Sequence, residues 1–65
     1  MKVQSSIISE IDYIGRTLRI TFTSGTVYAY EGVPKNIYEG FVRAESKGKY
    51  FHENIKDRYD FIKEY

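Results

Sequence analysis

Between Thr17 and Thr23 the chain alternates strictly: Leu18, Ile20 and Phe22 are apolar, and Thr17, Arg19, Thr21 and Thr23 are not. On an extended strand this period of two puts the three apolar side chains on one face, and the run is rich in β-formers. Such a strand needs partners for its backbone and a cover for its apolar face, and a chain of 65 residues must supply both from close by. Val27 to Tyr30 returns across Ser24-Gly25, and Ile7 to Tyr13 reaches the same strand through a turn at Gly15 and Arg16. The product is a three-stranded antiparallel meander.

Gly32-Val33-Pro34 is the sharpest break in the chain and separates this strand-like half from a helix-like half. Pro34 suits the first position of a helix, and Val33, Ile37, Phe41 and Ala44 follow on one face at helical spacing. Gly40 weakens that helix by up to about 1 kcal/mol relative to Ala, so tertiary packing has to hold it, and Gly48 fits its end. Beyond it, Phe51, Ile55 and Tyr59 keep a helical spacing for about two turns, whereas Tyr59 and Phe61 also alternate as an edge strand would. The expected architecture is α+β: a small antiparallel β-meander of three to four strands packed against one main helix plus a short helical turn. It forms a single domain over residues 1–65.

A domain this small buries only about 60% of its unfolded surface. With no Cys for a disulfide or a thiolate metal site, the remaining supports are the aromatic packing of seven Tyr and four Phe, or self-association. A homo-oligomer is therefore expected. Ten Lys and Arg against nine Asp and Glu leave a net charge of +1, too weak a field to indicate nucleic acid by itself. No stretch approaches the roughly 20 apolar residues of a membrane span, and Met1 to Ile8 carries no cleavage signature, so the expected setting is the cytoplasm.

Tyr28 and Tyr30 share one face of their strand, and the hairpin decides which face that is. If Ser24-Gly25 is a two-residue loop, Phe22 opposes Val27 and Ile20 opposes Ala29, which leaves both tyrosines on the more polar face beside Thr21 and Arg19. If Thr23, Ser24 and Gly25 form a turn with Gly25 left-handed and bulged, Ile20 opposes Tyr28 and Leu18 opposes Tyr30. The rings then belong to the core, and only their hydroxyls reach polar partners. Two-residue loops prefer Asn-Gly or Asp-Gly, so Ser-Gly favours the second register.

A second signal lies in Lys47-Gly48-Lys49-Tyr50-Phe51-His52, where cations and rings interleave, with Arg43 upstream and Lys56 and Arg58 downstream. Nucleic acid calls for that pairing, since cations neutralise phosphate while ring faces stack on unpaired bases. Glu45, Glu53, Asp57 and Asp60 dilute the patch, and the plainer reading makes Lys47 and Lys49 a solvated turn with Phe51 a core anchor. His52 has neither a Cys nor a second His beside it, so no metal site is expected. Ser5, Ser6, Ser9 and Ser46 lack a nucleophile-elbow motif, and the single glycines form no phosphate-cradling run. Glu53 and His52 are adjacent and would point apart on a helix. No enzyme activity and no cofactor are expected.

In order along the chain, Ser5-Ser6-Ile7, the alternating Leu18, Ile20 and Phe22, Gly25, Tyr28, Tyr30, Gly32-Val33-Pro34, Tyr38, and Ser46, Gly48, Tyr50-Phe51 resemble the pattern of the KTSC domain. That short family is named for a domain at the C-terminus of some lysyl-tRNA synthetases and also occurs as small free-standing bacterial and phage proteins. The resemblance spans nearly the whole chain and is most specific at Tyr-x-Tyr with Gly-Val-Pro and at Gly-Lys-Tyr-Phe. Position 52, often Asn in the pattern, is His52 here, which replaces the paired donor and acceptor of an amide by an imidazole. The resemblance implies an α+β domain and, by association with a tRNA synthetase, nucleic-acid binding.

The leading expectation is an RNA-binding module in which Tyr28, Tyr30 and Tyr50 offer stacking surfaces, Arg19, Lys47 and Lys49 contact phosphate, and His52 stands among them. The alternatives are a homo-oligomer that binds a nucleotide-type small molecule between subunits, and a protein-interaction domain that uses an open strand edge.

Overall fold

The computed structural model describes Met1–Tyr65. The alternating run forms β2 (Thr17–Phe22), flanked by β1 (Ile8–Ile14) and β3 (Val27–Tyr30). A fourth strand, β4 (Phe61–Lys63), joins β3 to complete an antiparallel sheet in the order β1-β2-β3-β4. Two helices, α1 (Lys35–Arg43) and α2 (Lys47–Asn54), lie between β3 and β4 in the chain. No helix is long and apolar enough to cross a membrane.

Across the β2–β3 hairpin, Ile20 faces Tyr28 and Leu18 faces Tyr30. The Phe22 N–H donates to the Thr26 carbonyl at 2.8 Å, and Gly25 sits at φ 96°, the left-handed conformation that the bulged turn requires. This is the register that the Ser-Gly turn favours. One row of the inner face accordingly runs Tyr13, Leu18, Tyr30, Phe61, and the next runs Ile11, Ile20, Tyr28, Lys63. A bulge between Ile8 and Glu10 adds a residue to β1, so that Ile8 and Ile11, three apart, both turn inward and are fully buried.

Val33, Phe41, Phe51 and Ile55 close over this inner face and share one core with Ile8, Ile11, Leu18, Ile20 and Tyr30. The outer face, with Asp12, Arg19, Ala29 and Ile62 in one row, carries no helix.

The expected stripe of α1 is present, with Val33 and Phe41 at 0% exposure. Pro34 stands just outside the helix as its cap, with extended backbone angles, rather than at the first helical position. Gly40 has the packing reason that a helix-interior glycine needs: an added methyl would run into the Tyr50 phenol, whose hydroxyl donates to the Ile37 carbonyl at 2.9 Å. Gly48, expected at the end of the first helix, instead lies in the first turn of a second one. Ala44 ends α1, and the Ser46 hydroxyl accepts from the Lys49 N–H at 3.2 Å to cap α2. The tail is helical only to Asn54 and becomes a strand at Phe61, so Tyr59, on which both readings of the tail rested, lies in the turn between them.

Candidate ligand-binding groove

The hairpin register that buries Tyr30 also builds an aromatic cluster at one end of the sheet. Phe22 packs edge-to-face on Tyr28, Tyr28 on Phe61, Tyr30 on Phe51 and Phe51 on Phe22, with centroids 4.9 to 5.7 Å apart. Phe61 and Tyr30 close the circuit at 5.3 Å. Edge-to-face contacts of this kind each contribute about 0.5–1.5 kcal/mol beyond the area they bury. Above the cluster opens a groove of about 570 Å³, bounded by the β2–β3 turn, the end of α2, the turn after it and β4.

The chemistry of its rim follows from what the chain leaves free. The ion pairs of the molecule join the Met1 amine to Glu10 and Asp12, and Arg19 to Glu64. His52, Lys56 and Asp57, all exposed, therefore border the groove unpaired. Asp57 takes φ 64°, a left-handed conformation that Asp tolerates better than most residues, and it turns the chain from α2 toward β4. The hydroxyls of Tyr28 and Tyr30 have no partner within the chain, in contrast to those of Tyr13 and Tyr50, which donate to the carbonyls of Val33 and Ile37. Burial, with Tyr28 and Asp57 alongside, pushes the Tyr30 phenol up to about 12, so it stays a neutral donor at any physiological pH.

Of the residues expected at a site, the fold brings Tyr28, Tyr30 and His52 to this groove. Tyr30 enters by its edge, because its ring is only 3% exposed and is not an open stacking face. Tyr50 is elsewhere: its ring stacks on Phe41 at 5.6 Å, and burial raises its pKa, with Tyr59 adding to the shift and Arg43 opposing it. Arg19 projects from the outer face, where its guanidinium meets Glu64 at 2.8 Å near Glu10 and Asp12. The Lys47 ammonium donates to the Val42 and Ala44 carbonyls at the end of α1, as the free carbonyls of a helix terminus require. Lys49 is exposed one turn before His52 on α2.

Phe22, Phe51, Phe61, Lys56 and Asp57 also line the groove without having been singled out as site residues. The signal for Phe22 and Phe61 was present in the bulged register and in the Tyr59, Phe61 alternation. What the sequence lacks is the α2–β4 turn that brings these distant residues together.

A one-sided meander, two covering helices and an aromatic groove at one end define a class: a small α+β domain with an aromatic-lined recess. The chain belongs to the KTSC domain family, whose model matches residues 4–59. It superposes on the crystal structure of a KTSC domain protein from Yersinia pestis with a TM-score of 0.94, at 37% identity, over 97% of this chain and 92% of that one. It is 40% identical over 63 residues to a lysine–tRNA ligase of Trichormus variabilis and 38% identical over 63 residues to that of Nostoc punctiforme. Each match covers 94% of this chain but 11% of the ligase. An uncharacterised protein of Stutzerimonas stutzeri is 30% identical over 59 residues, which are 88% of this chain and 83% of that protein.

Proposed function

We propose that this domain is a non-catalytic binding module that takes an unpaired base of an RNA strand into the aromatic groove. The observation that carries the reading is the meeting of half-exposed rings, Tyr28 and Phe61, with the unpaired cations or donors of His52 and Lys56 along one recess. A base stacked on Phe61 or Tyr28 gains about 1–3 kcal/mol, and an ammonium beside the strand displaces counterions from phosphate. Lys49, one turn before His52, extends the basic edge. Arg19, Lys47 and Tyr50 are left out because their side chains are engaged elsewhere. That similar sequences occur in proteins named lysine–tRNA ligases supports an RNA ligand, by association. The cytoplasm is the setting that this reading expects.

An amide-resolved NMR titration with short single-stranded RNA tests it, at low salt and again at about 0.15 M, where screening acts over about 8 Å. Shifts are expected at Tyr28, Phe61 and the segment from His52 to Asp57, weakening as salt rises. Lys56→Gln is expected to lower affinity for all sequences alike and to reduce the salt slope by about 1. No detectable affinity at low salt would sink the proposal.

A free nucleotide is the second reading, favoured by the groove's 570 Å³, which lies within the roughly 300–1,000 Å³ typical of small-ligand pockets. Native mass spectrometry with a nucleotide panel separates the two and reads the oligomeric state at the same time.

A further inference from the structure

The groove holds one carboxylate, and its surroundings leave it free to read a base. Asp57 stands between two cations along the chain yet pairs with neither, for Arg58 directs its Nε to the Glu53 carbonyl at 3.0 Å instead. Its backbone is held at φ 64° in the short turn between α2 and β4, closed by the Arg58 N–H on the Ile55 carbonyl at 3.1 Å. The turn therefore sets Asp57 on the rim of the groove that Phe61 also lines, with the free hydroxyls of Tyr28 and Tyr30 on its wall.

An ionised carboxylate only accepts hydrogen bonds, through two oxygens side by side. On its Watson–Crick edge guanine alone presents two adjacent donors, N1–H and the N2 amino group. Adenine and cytosine set a ring-nitrogen acceptor beside their amino group, and uracil flanks its single N3–H with carbonyls. Each of those acceptors would face the carboxylate and repel it. Guanine also carries O6 next to N1–H, an acceptor that suits a neutral phenol.

We propose that the groove selects guanine, with the Asp57 carboxylate accepting from N1–H and N2–H and a hydroxyl of Tyr28 or Tyr30 donating to O6. The inference rests on the base-binding reading above, and the base can belong to a strand or to a free guanosine nucleotide.

The test titrates the chain with the strands UUGUU, UUAUU, UUCUU and UUUUU and with GMP and AMP, using the wild type and Asp57→Asn. Asn tolerates the same left-handed backbone, and an unchanged melting temperature and amide spectrum verify the fold of the variant. UUGUU is expected to bind about tenfold tighter than UUAUU, as a bidentate pair provides, and Asp57→Asn to erase that gap, since an amide matches the donor and acceptor of adenine instead. Equal affinity for all four strands would overturn guanine selection and leave base binding standing. A gap that survives in Asp57→Asn would overturn the role of Asp57. Binding of GMP over AMP with no strand bound would uphold the guanine assignment and overturn the RNA reading. No binding of any strand or nucleotide would overturn both.

Discussion

Two groups of tyrosines in this domain differ in what their hydroxyls do. Tyr13 and Tyr50 stack nearly parallel on Tyr38 and Phe41, at 7° and 14°, and donate to main-chain carbonyls at 2.6 and 2.9 Å. Tyr28 and Tyr30 meet their neighbours edge-on and leave their hydroxyls without a partner in the chain. The first pair ties helices to sheet and to each other; the second lines a recess. Ring burial does not separate the groups, since Tyr30 is the most buried of all seven tyrosines. The fate of the hydroxyl does.

Deleting whole rings breaks the contrast most strongly. Tyr50→Ala removes a stacked ring and an interhelical hydrogen bond and is expected to lower stability by about 3 kcal/mol in denaturant titration, whereas Phe61→Ala, at 52% exposure on the edge strand, costs about 1–2 kcal/mol. Gly40 gives the next largest effect and one with a change of sign. In the wild type Gly40→Ala drives a methyl into the Tyr50 phenol and costs about 1–3 kcal/mol; combined with Tyr50→Ala the same change is expected to stabilise by up to about 1 kcal/mol, since only helix propensity is left. A double-mutant cycle with additive values would refute that close approach.

Removing single hydroxyls sharpens the comparison. Tyr13→Phe and Tyr50→Phe each lose a hydrogen bond worth about 1 kcal/mol, while Tyr28→Phe and Tyr30→Phe are expected to stay within about 0.5 kcal/mol of the wild type. Comparable losses at all four positions would erase the distinction. A further signal is alkaline. Tyr30 ionises near pH 12 in the folded chain and near 10 when unfolded, so its contribution is complete below about pH 10 and is lost as pH rises toward 12. A spectrophotometric titration should show a late-ionising phenol that disappears in Tyr30→Phe.

Local rules made much of this fold legible. The Ser24-Gly25 turn chemistry favoured the register that the structure adopts, which carries Tyr28 and Tyr30 inward, and the α1 stripe was open to reading too, because both depend on neighbours a few residues apart. Long side chains were not. Arg19 finds Glu64 at a separation of 45 residues, and Lys47 folds back onto carbonyls of a helix whose end the sequence left too late, at Gly48. Their charge was visible and their partners were not. The same holds for the groove, whose Phe22 and Phe61 stand 39 residues apart and come to one recess only through the path of α2.

β4 spans three residues, all with exposed side chains, and attaches to the sheet along a single partner strand. It is also the last element in the chain, separated from β3 by both helices. A segment with so little buried surface opens on its own, at a fraction of the free energy that unfolds the meander. One wall of the recess is therefore less anchored than the meander it joins. Hydrogen exchange should find Ile62 and its neighbours far less protected than Leu18 or Ile20, and an occupant resting on Phe61 would slow exchange along the whole strand, making order in the tail a direct report of a filled site.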